Sequence, residues 1–148
     1  MSRLFHVNAF SHHPFAGNPA VVVLGEARPD AELQTLAAGA KFLLELASEE
    51  AVRALTPDFH ALRALLGRGI MVTAPSSRKE DDFVSRYFAP WVGVDEDPVT
   101  GSNHCALVPF WAERLGKRQL RARQISARGG DLRLELQEGR VLMAGRAL

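Results

Sequence analysis

Residues 83–116 read FVSRYFAPWVGVDEDPVTGSNHCALVPFWAERLG, and this stretch decides the fold. Asp95, Glu96 and Asp97 form an acidic turn, and Pro98 ends any regular structure there. Thr100-Gly101-Ser102 then opens into a helix from Asn103 onward. Between Cys105 and Leu115 nearly every position is apolar or small: Cys105, Ala106, Leu107, Val108, Phe110, Trp111, Ala112 and Leu115. A helix apolar around most of its circumference is buried on most sides, so this one is expected to be the central helix of its domain. Gly116-Lys117 is a C-terminal stop signal.

The N-terminus of that helix is where chemistry is expected. The first backbone N–H groups of a helix have no partner within it, and the aligned peptide dipoles add partial positive charge. Gly101 lets a ligand approach the backbone, and Ser102 adds a hydroxyl, so the pair forms a cradle for a carboxylate or phosphate. Asp97 stands before the cradle, placed to take or give a proton. On spacing alone a second reading stands beside this one: Thr100 or Ser102 caps a core helix, and Asp97 belongs to the turn.

Working outward toward the N-terminus, Leu4 to Phe10 reads as a first strand and Ser11 to Pro19 as a turn region. The valine-rich run Ala20 to Leu24 reads as a buried strand. His12-His13 has no partner at metal-ligand spacing and reads as exposed loop histidines. Pro29-Asp30 starts a helix carrying Leu33, Leu36, Ala37 and Ala40 at helical spacing. Phe42 to Leu46 reads as a short strand, and Ser48 as the cap of a helical turn with Glu50 in its first turn. Pro57 to Leu66 reads as a helix stopped by Gly67. Ile70 to Ala74 is a buried strand and Pro75 to Asp82 a surface loop.

Beyond the central helix, Gln119 to Ala127 alternates, Leu132, Leu134 and Leu136 keep period two, and Val141 to Ala144 closes the sheet. Three strands on short turns make an antiparallel meander. Arg121, Arg123, Arg133 and Arg140 read either as an anion-binding patch or, the commoner use of arginine on a sheet, as solvation of its wet face. No aromatics interleave them, which argues against nucleic acid.

The 148 residues suit one core and one domain, residues 1–148. A net charge of +1 provides no field for nucleic acid or an anionic membrane. The single cysteine, Cys105, excludes an internal disulfide framework and reads as a buried small hydrophobe. No signal peptide or membrane-length apolar run is evident, so a cytoplasmic location is expected.

The run Asp82-Phe83-Val84-Ser85-Arg86-Tyr87-Phe88-Ala89-Pro90, followed by Glu96-Asp97-Pro98-Val99-Thr100-Gly101-Ser102 with His104, resembles the signature of the PhzF-like phenazine-biosynthesis isomerases. That family has the diaminopimelate-epimerase superfold. Phe5 to Phe10 with Phe15-Ala16-Gly17-Asn18-Pro19 resembles its N-terminal strand and turn, and Gln124 to Gly130 its C-terminal hairpin. The resemblance implies an α+β fold, a curved and mostly antiparallel sheet around the central helix. It implies catalytic roles for Asp97 and Ser102, and substrate binding by Thr100, Gly101, Ser102 and His104. The implied reaction is a proton shift on a small carboxylate, with no cofactor and no metal.

Family members have two similar lobes. Residues 1–40 resemble the opening of the first and residues 41–148 the second; the segment carrying the first lobe's acid/base glutamate has no counterpart, and Glu45 does not match it. Two expectations follow. Either a homodimer restores the two-lobed site by twofold symmetry, or the chain is a degenerate binding module or remnant without activity.

Overall fold

A computed structural model describes residues 3–9, 18–24, 41–65 and 67–145. Strands β1 (Arg3–Ala9) and β2 (Asn18–Leu24) pair antiparallel, with Phe5 opposite Val22. Most of the turn between them, His12-His13 and the helix expected from Pro29-Asp30 lie outside the described residues.

The main sheet contains β3 (Lys41–Glu45), β4 (Gly69–Pro75), β5 (Phe83–Ala89), β7 (Gln119–Gln124), β8 (Gly130–Gln137) and β9 (Arg140–Ala144) in that order, with β6 (Val94–Glu96) pairing the end of β5. The β3–β4 and β5–β7 pairs are parallel; the others are antiparallel. Parallel neighbours need a crossover. Helices α1 (Glu49–Ala54) and α2 (Phe59–Arg63) make the first, and α3 (Gly101–Leu115) lies in the second. The fold is α+β with a mixed sheet, and the β7–β8–β9 meander stands as expected.

Local signals explain several boundaries. Ser48 Oγ accepts from the Ala51 amide at 3.1 Å, capping α1 as its position predicts. Gly116 takes the left-handed conformation (φ 65°) that ends α3, which disfavours any side chain. Helix α2 is shorter than the predicted Pro57–Leu66. Asp58 accepts from the Ala61 amide at 2.9 Å and so takes the cap position, and Trp91 Nε1 donates to the Leu65 carbonyl at 2.9 Å beyond its other end.

Strand β5 carries no alternation because both its faces are covered. Phe83, Tyr87 and Ala89 pack with Leu43, Leu107 and Trp111 on the α3 side; Val84 and Phe88 pack with Val52 and Val72 on the α1 side. Phe83 stacks on Trp111 with ring centroids 5.6 Å apart, worth about 1 kcal/mol beyond area burial. Trp111 Nε1 donates to Thr73 Oγ1 at 3.0 Å, so its polar atom is satisfied in the core.

Helix α3 buries one broad face rather than its whole circumference. Asn103, His104, Ala106, Leu107, Val108, Trp111 and Ala112 are buried. Gly101, Glu113, Arg114 and Leu115 are exposed, and Ser102, Cys105, Pro109 and Phe110 are half-buried.

The arginines divide. Arg121, Arg133 and Arg140 are exposed as expected, but Arg123 is not a solvating residue. Its Nη2 donates to Glu49 Oε1 at 2.6 Å, and the two side chains are 18% and 6% exposed. A register set by pairing with β5 and β8 aims it at α1 instead of water. No helix among the described residues is long and apolar enough to cross a membrane.

Candidate functional site

The acidic turn is held on three sides. Arg86, from β5, grips Glu96 through two bonds, Nε to Oε1 at 2.7 Å and Nη2 to Oε2 at 2.9 Å. Its remaining nitrogen donates to the carbonyls of Val52 (3.1 Å) and Leu55 (2.7 Å) at the end of α1. A planar guanidinium satisfied on every edge is a rigid clamp. The Asp97 amide donates to the Tyr87 carbonyl at 3.0 Å, which fixes the backbone of the aspartate itself.

Gln124 is the third support, and nothing in the spacing of β7 marks it. Fully buried, it donates from Nε2 to the Asp97 carbonyl at 2.7 Å and to Thr100 Oγ1 at 3.2 Å, and accepts the Thr100 amide at 2.8 Å. Ser126 Oγ donates to the Pro98 carbonyl at 2.7 Å. Gly130 lies so close under Val99 that a Cβ there would stand 2.5 Å from its methyl group. The 124–130 segment therefore forms the bed on which residues 97–100 lie. Gln124→Leu, similar in volume, leaves the Thr100 amide and the Asp97 carbonyl without partners. It is expected to cost about 2 kcal/mol or more, read as a lowered urea midpoint with an unchanged slope.

Thr100 occupies the cap position of α3, yet its side chain makes no capping bond. Its hydroxyl donates instead to Asp97 Oδ2 in a short contact. The capping reading of Thr100 fails for that reason: the helix end is left without a side-chain cap, and the aspartate beside it is oriented. Gly101 is exposed and Ser102 half-exposed, and neither amide has an acceptor among the described residues. Met143, from β9, borders this opening; a Cβ on Gly101 would lie 4.0 Å from its terminal methyl.

His104 does not join that opening. Its ring is fully buried against Phe83, with centroids 6.1 Å apart. Nδ1 lies 2.9 Å from the Thr100 carbonyl, so the neutral ring donates there and steadies the turn. Burial holds its pKa below the usual histidine value, and the Thr100 bond offsets that only in part. Its Nε2 has no partner among the described residues. Cys105 is half-buried, and burial raises its thiol pKa against the pull of Lys41, so it stays protonated near neutrality.

Lys41 is the site residue that sequence reading missed. It starts β3, is only 9% exposed, and reaches the N-terminus of α3 from across the sheet. Nζ donates to Ser102 Oγ at 3.1 Å and to Asn103 Oδ1 at 3.3 Å, and stands 5.1 Å from the centre of the Tyr87 ring. Burial lowers its pKa most, the charge of Arg68 lowers it further, and Cys105 and Asp97 act against both. The available signal was period two: Lys41, Leu43 and Glu45 share one face of β3, and Glu45 on that face meets Arg114 of α3 at 2.6 Å. Among the described residues no three of His, Cys, Asp and Glu gather where they would hold a metal ion.

Residues 38–148 match the model of the phenazine biosynthesis-like protein family. Over 108 residues the chain is 59% identical to an uncharacterized isomerase of Pseudomonas aeruginosa, covering 73% of this chain and 41% of that one. Over 107 residues it is 49% identical to an uncharacterized isomerase of Halalkalibacterium halodurans, covering 72% and 40%. The chain thus spans about two fifths of the length of these curated relatives. The crystal structure of a phenazine biosynthesis protein of the PhzF family from Enterococcus faecalis superposes with a TM-score of 0.66 at 26% identity, over 98% of this chain and 95% of that one. A putative phenazine biosynthesis protein of Clostridium difficile shares the fold over the whole of both chains, with a TM-score of 0.61 at 23% identity. The Asp97–Ser102 turn, the helix it opens and the hairpin beneath it all fall within the matched residues, and the chain belongs to the phenazine biosynthesis-like protein family.

Proposed function

We propose that this chain is an isomerase or epimerase that shifts a proton on a small carboxylate substrate without a cofactor. The observation that carries the reading is the Asp97 carboxylate, oriented by Thr100 beside the uncapped end of α3. Asp97 moves the proton. The amides of Gly101 and Ser102, with the Ser102 hydroxyl, hold the substrate's anion, where the helix dipole favours negative charge. The isomerase names of the two bacterial relatives support the reaction class.

A proton shift needs an acid and a base on suitable sides of the substrate. The first-lobe glutamate has no counterpart here, so in this reading a twofold homodimer supplies the opposing group, a second Asp97. Residues 1–148 then act as a single cytoplasmic domain, and the partner covers the open side of the central helix. Val99 (39% exposed) and Met143 (38% exposed) support this arrangement as an apolar rim beside the cradle.

The test is mass in solution by light scattering, followed by mass spectrometry of small carboxylates incubated with the protein in deuterated water. A dimer that incorporates deuterium into one of them is the expected result. A monomer that catalyses no exchange overturns the proposal.

A further inference from the structure

The cradle at α3 carries a surplus of donors that the reading above does not use. An ammonium has three N–H donors. Lys41 gives one to Ser102 Oγ and one to Asn103 Oδ1, and its third has no acceptor among the described residues. The Asn103 carboxamide, 2% exposed, presents Oδ1 to Lys41, and its Nδ2 also has no partner among the described residues. These two donors stand beside the amides of Gly101 and Ser102 already assigned to the anion. Among the described residues, every group meeting Lys41 directly is neutral: a hydroxyl, an amide oxygen and the face of the Tyr87 ring.

Among the described residues, the charged and titratable groups around Lys41 come from four elements. Arg68 precedes β4 and adds positive charge, Tyr87 stands on β5, Cys105 on α3, and Asp97 in the turn. Asp97 lies beyond ion-pair distance of Nζ, and its carboxylate is engaged by Thr100. A buried cation among neutral partners costs free energy unless an anion joins it or it loses its proton. Unpaired donors without matching acceptors are the complement of a carboxylate.

We propose that Lys41 is the residue that receives the ligand's carboxylate, the anion seating between its ammonium and the open amides of α3, with Asn103 as a further donor. The proposal rests on the reading of this opening as a carboxylate site, and adds to the helix end a charge on a different strand. Lys41 binds and orients here, and Asp97 stays free to move the proton.

Binding is then coupled to protonation. Burial and Arg68 depress the Lys41 pKa in the free protein, and an anion alongside raises it. Above the free-state value the ligand binds only with uptake of a proton, so affinity is full below that value and falls as pH rises through it.

Isothermal titration with sodium acetate, in chloride-free buffer from neutral to alkaline pH, tests this on the wild type, Lys41→Met and Lys41→Arg. Wild type is expected to bind acetate, with affinity falling as pH rises. Lys41→Met is expected to bind about tenfold more weakly or worse. Lys41→Arg keeps a fixed charge, so it binds without the alkaline fall, and it serves as the informative variant if Lys41→Met does not fold. Equal acetate affinity in wild type and Lys41→Met, an unchanged pH dependence in Lys41→Arg, or no binding by wild type overturns the proposal. Acetate binding with the expected Lys41 dependence, joined to a failure of deuterium exchange, sinks the isomerase reading and leaves Lys41 as the anion's partner.

Discussion

Asp97→Asn is expected to slow solvent-deuterium exchange of an accepted substrate by about 10²- to 10⁴-fold, the usual contribution of a positioned acid or base. The substitution isolates the proton from the architecture. Asparagine has the shape of aspartate, and its side-chain oxygen still accepts from the Thr100 hydroxyl. The bonds that hold the turn, from the Asp97 amide to Tyr87 and from Gln124 to the Asp97 carbonyl, are made by backbone atoms and survive. Stability should therefore change little while exchange collapses, and acetate should still bind at α3. Exchange at the wild-type rate in a folded Asp97→Asn protein would remove Asp97 from the mechanism.

Glu49→Ala is expected to cost about 3–5 kcal/mol of stability, the penalty for removing one partner of a buried ion pair and stranding the other. Glu49 sits at the start of α1, 6% exposed, and collects five bonds. Oε2 accepts from the Ser77 amide (2.9 Å), Ser77 Oγ (2.9 Å) and Ser76 Oγ (3.2 Å); Oε1 accepts from Arg53 (2.7 Å) and Arg123 (2.6 Å). Without it Arg123 keeps its charge in a half-buried position with only Asp81 Oδ2, 3.7 Å from its Nε, as an opposing charge among the described residues, and α1 loses its tie to the loop after β4. Urea denaturation of the two proteins gives the difference. Because much of the penalty is the stranded arginine, Glu49→Leu combined with Arg123→Met should cost less than the two single changes summed.

The pH dependence follows from the same contacts. Burial alone would raise the Glu49 pKa, but the Ser77 amide, then Arg53, the Ser77 hydroxyl and Arg123 outweigh it and bring it down to about 2, from 4.5. A carboxylate with a depressed folded pKa contributes stability that is complete above the unfolded value. That stability is lost as pH falls through the folded one. The shift corresponds to about 3 kcal/mol. The gap in stability between wild type and Glu49→Gln should therefore narrow as pH drops from 4.5 toward about 2. A gap that stays constant over that interval would show that the carboxylate's charge is not what holds the loop.

Much of the scaffold was legible because its signals are local. Ser48 capping α1, Gly116 ending α3 and the alternation of Leu132, Leu134 and Leu136 each depend on a few neighbouring residues. Strand β5 was not read as a strand from the sequence, because burial on both faces removes alternation. The position of Asp97 before the helix was also readable. The direction of the Thr100 hydroxyl was not, since a cap residue that donates to a neighbouring carboxylate has the same sequence as one that caps. His104 belongs to the same motif, yet its ring points into the core toward Phe83.

By itself the sequence determined the family signature, the helix that follows Thr100-Gly101-Ser102 and its stop at Gly116, and the antiparallel meander beyond it. These rest on capping, turn geometry and strand periodicity, which act within a few residues. Only the tertiary structure decided that Lys41 meets Ser102 across 61 positions, that Glu49 pairs with Arg123 across 74, and that Gln124 beds the turn across 24. The reason is physical. A charged or polar side chain takes its role from what burial and strand register bring beside it, and register is set by which strands become neighbours in space.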